Sequence, residues 1–348
     1  MKFSSFFYII SKVTNGKTIF LIFTLVIYFK FFNKEFIKNE PQINGIDGIV
    51  DNSEYSFLVA GHTYGSHHHF NEGIYPKFLS RVQEEITYKD EFPLLTGDIV
   101  RNSTPKSWKT VDEQLKKLPI PSYLSMGNHD ISVSGFKFFN KKHGNSYYYF
   151  KKGNDLFFCF NVNLTWGEIT KEQINLFKNV LNEFKSRNIF IFFHELIWTQ
   201  GKLSYLHIRH NWGTYLFESN FWDDVYPILR SFPKRQFYLL AGDVGGTPNS
   251  ISAFYQKKQN VTFLASGMGE TKEENFMRIT VRQESTDIEL IPLNNEVLLK
   301  HITDYDIYDH FLEMFKNQRK YLFVIYIKKP MDKLKKAFFN ILIKDHPD

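Results

Sequence analysis

The chain reads as an α/β domain whose chemistry sits at strand ends. Short apolar runs recur along it, segments of helical spacing separate several of them, and polar or glycine-containing motifs begin where the runs stop. Runs of five or six residues bounded by turn formers suit buried strands, whereas the longer amphipathic stretches between them suit helices. The 348 residues are 43% hydrophobic, enough for one substantial core.

Taken in order, residues 55–60, 92–96, 122–126, 189–193 and 236–241 read as short buried strands. Helices are expected at 75–86, 107–118 and 221–230. Another follows Thr170-Lys-Glu-Gln173, which has the form of a capping box, because Ile174, Phe177, Val180, Leu181 and Phe184 then recur at helical spacing. Residues 147–150 and 156–161 flank Lys151-Lys-Gly-Asn154, the pattern of a hairpin. Residues 252–256, 261–266, 275–282 and 288–293 read as antiparallel strands joined by polar turns. The 37 phenylalanines fall mostly within these runs, and core packing accounts for them. There is no internal repeat and no low-complexity tract.

Five motifs stand at the ends of apolar runs: His62-Thr-Tyr64, Gly97-Asp98, Gly127-Asn-His-Asp130, His194 and Gly242-Asp-Val-Gly245. Hard oxygen donors and imidazoles delivered from separate strand ends are what a phosphate-binding metal site requires. Each motif alone has an ordinary reading. Gly97-Asp98 and Asp243 could be turns, Asn128-His-Asp130 a helix cap, and His194 a hydrogen-bonded core histidine. Their joint order carries more weight than any one of them.

In that order the motifs resemble the calcineurin-like metallophosphoesterase family, over residues 54–292. The family pattern is Asp-x-His, Gly-Asp, Gly-Asn-His-Asp or Glu, a lone His, then Gly-His-x-His. The resemblance implies a four-layer αββα sandwich of two mixed β-sheets flanked by helices. It implies a phosphoric ester hydrolase carrying one or two divalent ions, manganese, iron or zinc. One ion would take Asp98, Asn128, His194 and Asp243. The family's donors to the other map onto His62, Tyr64, Asp98 and Gly245, so that position loses at least one ligand outright. His62 with Asp98 could still hold an ion there, and Tyr64 could assist as a phenolate.

The implied chemistry is in-line attack of metal-activated water on phosphorus. His129 would protonate the leaving oxygen or stabilise the transition state, with Asp130 orienting its imidazole. The substrate would be a phosphorylated small molecule, glycan or lipid, as mono- or diester. The alternative reading is a degenerate member that binds a phosphorylated glycan, lipid or protein partner without turnover.

Other histidines fit less directly. In His67-His-His69, adjacent side chains on an extended segment point to opposite faces, so at most two could converge on one ion. A solvated loop, or a phosphate-facing role for one of the three, are the readings. His207 and His210 are spaced for one helical face and read as ordinary surface histidines.

The termini differ from the domain. Residues 1–17 form a short basic segment and 18–32 a candidate membrane anchor, whose uncharged core at 18–29 lies between Lys17 and Lys30. Twelve residues are short of the ~20 that span a bilayer, but lysine snorkelling with Phe31 and Phe32 lengthens the run. No small-x-small cleavage pattern follows it, which disfavours a removable signal peptide. A single-pass anchor is the expectation, with a signal peptide and a soluble helix as alternatives. Lysines 2, 12 and 17 before the run are matched by 30, 34 and 38 after it, so neither side of the membrane is favoured.

Residues 33–53 read as a linker, 54–299 as the metallophosphoesterase-like domain, and 300–348 as a basic amphipathic extension. That extension could lie on an anionic membrane or pack on the domain. The single Cys159 excludes an intramolecular disulfide. A formal net charge of +6, with no basic groove interleaved by aromatics, argues against a nucleic-acid partner.

Overall fold

The computed structural model describes residues 54–165, 167–211 and 219–312. The expected anchor at 18–32, the segments on either side of it, and most of the 300–348 extension lie outside the described residues.

Eleven strands are described: β1 (Tyr55–Ala60), β2 (Asp90–Thr96), β3 (Tyr123–Ser125), β4 (Tyr148–Lys152), β5 (Asp155–Cys159), β6 (Asn188–Phe192), β7 (Gln236–Ala241), β8 (Ala253–Lys258), β9 (Val261–Ser266), β10 (Asn275–Val281) and β11 (Thr286–Pro292). They form two mixed sheets, β11-β10-β1-β2-β3 and β4-β5-β6-β7-β9-β8. The parallel pairs are β1–β2, β2–β3, β5–β6, β6–β7 and β7–β9; the hairpins β10–β11, β4–β5 and β8–β9 form three of the four edges, and β3, paired in parallel with β2, is the fourth. With flanking helices this is the two-sheet sandwich that the motifs implied.

Five α-helices are described: α1 (Pro76–Glu85), α2 (Pro105–Leu115), α3 (Val133–His143), α4 (Lys171–Glu183) and α5 (Tyr226–Arg230). Local chemistry sets several of their ends. Pro76 and Pro105 occupy first-turn positions, where a missing N–H costs nothing. Thr104, Ser132 and Thr170 each cap the following helix through the side-chain oxygen. The Thr170 capping box is only half formed. Gln173 turns its amide into the core, accepting from Asn161 N at 2.8 Å and donating to Asn161 O at 3.0 Å.

One helical expectation is corrected, and one helix was not foreseen. Residues 221–230 begin as a wide π-type turn, Phe221–Val225, before α5. Helix α3 has no counterpart in the sequence reading. Gly135 and a short apolar stripe weaken its periodicity, and tertiary burial of Phe136 and Phe139 holds it.

Aromatic rings fill the space between the sheets. Phe57 of β1 meets Phe157 of β5 and Phe190 of β6 edge-on, at 5.1 and 4.9 Å between centroids. Each such pair contributes about 0.5–1.5 kcal/mol beyond the area it buries. The outer face of the six-stranded sheet is covered by α4, where Phe177 packs on Phe158 and Phe160. The start of the 300–348 segment lies against the domain: Tyr305 O accepts from Tyr255 N, and His310 Nε2 donates to Ala253 O. Among the described residues, no helix is long and apolar enough to cross a membrane.

Candidate metal centre

The parallel strands of both sheets stop on one side of the molecule, and the motifs begin there. His62 follows β1, Asp98 follows β2, Asn128–Asp130 follow β3 as a 3-10 turn, His194 follows β6 and Asp243 follows β7. Strand carboxyl ends are where α/β folds place their ligands. The two sheets touch at this edge. A Cβ on Gly61 would lie 2.1 Å from Gly242 Cα, so backbone alone fits and the loops carrying His62 and Asp243 are drawn together. His62 (φ 55°) and Asp98 (φ 53°) adopt the left-handed region that side chains avoid, a strain tolerated only where the surrounding structure imposes it.

Asp98 is the hub. Its Oδ2 lies 3.3 Å from His194 Nε2 and 3.7 Å from His62 Nε2, and its Oδ1 accepts from His129 N at 3.0 Å. Asp243 Oδ1 lies 3.7 Å from His194 Nε2, and Asp243 Oδ2 is 3.1 Å from His210 Nδ1. All these carboxylates and imidazoles except His129 are buried.

The electrostatics follow from that crowding. Burial would raise the Asp98 carboxyl, but His194, helped by His62 and His129, holds it well below the usual range. Burial would lower the His194 imidazole, yet Asp98 and Asp243 outweigh it and push it up to about 10. His62 goes the other way, down to about 4, because burial dominates and the nearby imidazoles add to it against the attraction of Asp98 and Asp243.

Among the described residues no group of three or more His, Cys, Asp or Glu side chains stands ready as a finished metal cage. The donor chemistry nevertheless fits a divalent ion. His62 Nδ1 donates to Met268 O at 2.9 Å and His194 Nδ1 donates to Thr96 O at 3.0 Å. Each ring, when neutral, therefore turns an Nε2 lone pair toward the same Asp98 oxygen, and His194 Nε2 is buried with no hydrogen-bond partner. Lone pairs facing carboxylates repel unless a proton or a cation lies between them. Imidazoles fixed through Nδ1 on backbone carbonyls are the usual outer-shell arrangement of metal-ligating histidines.

Of the five expected ligands, His62, Asp98, His194 and Asp243 are thus gathered by direct approach. Asn128 is half-buried beside them, placed by the backbone of His129 on Asp98. Gly245 brings no donor, and Tyr64 is a poor substitute. Its hydroxyl is bonded to His67 Nε2 at 3.1 Å, and burial, followed by the charges of Asp98 and Asp243, pushes the phenol far above its ordinary range. A phenolate there is disfavoured.

The role expected of Asp130 is corrected. Its carboxylate accepts from Ile99 N at 2.9 Å, Val100 N at 3.0 Å and Gly127 N at 2.8 Å, stapling the loop after β2 to the turn after β3. The His129 ring is held by Arg101 O, which accepts from Nδ1 at 2.9 Å.

His67, His68 and His69 diverge. His67 leans on Tyr64 and the His129 ring, His68 reaches Glu270 at 3.5 Å, and His69 stacks on Tyr75. His210, read as a surface residue, is 7% exposed and bonded to Asp243. The i, i+3 spacing from His207 suggested a helical face, but only Leu203–Tyr205 is helical there. His207 itself donates to Ile307 O.

Residues 55–221 match the model of the calcineurin-like phosphoesterase family. Over those residues the chain is similar to that family. Of the expected metal ligands, His62, Asp98, Asn128 and His194 lie within the match and Asp243 falls beyond it. Two curated phosphoesterases are similar. "Probable glycerophosphodiester phosphodiesterase GpdQ" of Arcobacter nitrofigilis is 25% identical over 119 residues, 30% of this chain and 42% of that protein. A 3',5'-cyclic-nucleotide phosphodiesterase of Nostoc sp. is 30% identical over 82 residues, 24% of this chain and 31% of that protein. The chain thus spans less than half the length of either relative. Among solved structures, wild-type Vps29 complexed with zinc, from Entamoeba histolytica, covers 69% of this chain and 99% of its own at 12% identity and a TM-score of 0.29, a likeness too loose to bear on the site.

Proposed function

We propose that this chain is a membrane-associated, metal-dependent phosphoric ester hydrolase with a phosphodiester as its preferred substrate class. The observation that carries the reading is the convergence of two Nδ1-anchored imidazoles, His62 and His194, on one Asp98 oxygen, with Asp243 beside them. Asp98, His194 and Asp243, with Asn128 adjacent, would hold one divalent ion, manganese, iron or zinc, and His62 with Asp98 offers a weaker second position. When bound, such an ion supplies a water acidic enough to attack phosphorus and neutralises charge on the phosphoryl oxygens.

The chain's own groups account for the remaining steps. His129 presents Nε2 at the mouth, where it can hold a proton for the departing oxygen. Arg101 O fixes the tautomer, because a carbonyl can only accept. The named activities of both curated relatives support a diester. Anchorage rests on the lysine-bracketed apolar run at 18–29.

A second reading, a binder of phosphorylated ligands without turnover, is favoured by the loss of donors at Tyr64 and Gly245. Hydrolysis of bis(p-nitrophenyl) phosphate by the purified full chain, with Mn²⁺ and then with excess chelator, separates the two. Chelator-sensitive turnover lost in His129→Ala supports the enzyme; Mn²⁺ binding with no turnover of this diester or of p-nitrophenyl phosphate supports the binder.

A further inference from the structure

The 242–245 turn lacks both imidazoles of the family pattern, yet another loop returns one to the same place. His210 is buried, with Nδ1 3.1 Å from Asp243 Oδ2, while Asp243 Oδ1 lies 3.7 Å from His194 Nε2. The loop is clamped there through backbone and the Asn211 side chain. Asn211 N donates to Asp243 O at 3.1 Å, Asn211 Oδ1 accepts from Gly246 N at 2.7 Å, and Arg209 O accepts from Ile251 N at 2.7 Å. Three bonds from Arg209 and Asn211, the residues on either side of His210, leave the imidazole little freedom to drift from Asp243.

We propose that His210 is a positioning residue for the metal centre, donating from Nδ1 to Asp243 Oδ2 and so turning Asp243 Oδ1 toward the cation shared with Asp98 and His194. This rests on the hydrolase reading above. A carboxylate with both oxygens free rotates about its terminal bond and offers either oxygen; a donor on one oxygen fixes the other, and such outer-shell partners set metal affinity. His194, 3.7 Å from Asp243 Oδ1 through its Nε2, has its own Nδ1 tied to Thr96 O. With His210 in place, both ligands on this flank are therefore held from behind.

The test uses the full chain as wild type, Asp98→Ala, His210→Ala and His210→Asn, an amide that keeps a donor where Nδ1 stands but has no equivalent of Nε2. Mn²⁺ affinity is measured by titration calorimetry, and melting temperature is measured with chelator and with saturating Mn²⁺. His210→Ala should bind Mn²⁺ about 10–100-fold more weakly and lose much of the Mn²⁺-induced rise in melting temperature. His210→Asn should stay within about threefold of wild type.

Wild-type affinity in His210→Ala overturns the proposal, as does a His210→Asn variant no better than Ala. A melt lowered in chelator with an undiminished Mn²⁺ gain would mean packing alone, and also overturns it. If His210→Ala does not fold, His210→Gln, whose amide lies one methylene too far out, should show the same weakening, and wild-type binding there overturns the proposal equally. A wild-type chain that binds no Mn²⁺, or binds it unchanged in Asp98→Ala, would remove the metal centre itself, which is a different failure.

Discussion

The two flanks of Asp98 are built unequally. On one side His194 and Asp243 come from the six-stranded sheet, both buried, each secured from behind by Thr96 O or by His210. On the other side the five-stranded sheet offers His62, while the places where further donors would stand hold Tyr64, already bonded to His67, and Gly245. Both flanks share the same hub and the same strand-end geometry. A frame of this kind can thus lose side chains on one side without losing its shape, because backbone, and not the ligands, holds the edges together.

Three measurements bear on that inequality. Asp98 serves both flanks, so Asp98→Ala should abolish Mn²⁺ binding and lower turnover by on the order of 10³-fold or more. Retained binding would mean that the flanks act independently. Next in size, His194→Ala should weaken Mn²⁺ by about 100-fold and His62→Ala by about tenfold or less, taking the span that ligand and outer-shell losses cover. Equal losses would erase the distinction.

The smallest effect is on stability in chelator, and its sign differs between the flanks. His194 is raised to about 10 from an ordinary 6.5, so its contribution is in full below pH 6.5 and fades as pH climbs toward 10. His62 is lowered to about 4, so its contribution is intact above pH 6.5 and is lost as pH falls toward 4. Melting temperature followed across pH should therefore show an alkaline arm that His194→Gln removes and an acid arm that His62→Gln removes. A single arm removed by both variants would contradict the two environments.

Much of this was legible in the chain because each apolar run stops where a motif starts. Strands β1, β7 and β9 have the expected bounds, and β2, β3 and β6 differ by one or two residues at an end, where fraying and bulges decide. Other features were hidden for physical reasons. Helix α3 depends on tertiary burial. Asp130 sits one residue from His129, but the turn aims its carboxylate at the amides of Ile99 and Val100. His210 was invisible because its partner lies 33 residues away in sequence and no local period marks an isolated loop histidine. Periodicity reports faces of elements; it carries no information on which loop crosses which.

The contact between Gly61 and Gly242 has one further consequence. Since main chain meets main chain there, the seam has no slack to take up a methyl group, and a Gly61→Ala change would have to prise one sheet edge from the other. Chemistry at this edge can consequently be retuned by exchanging what hangs from the loops, but not by thickening the loops themselves. The aperture between the donors is set by the girth of two bare backbones.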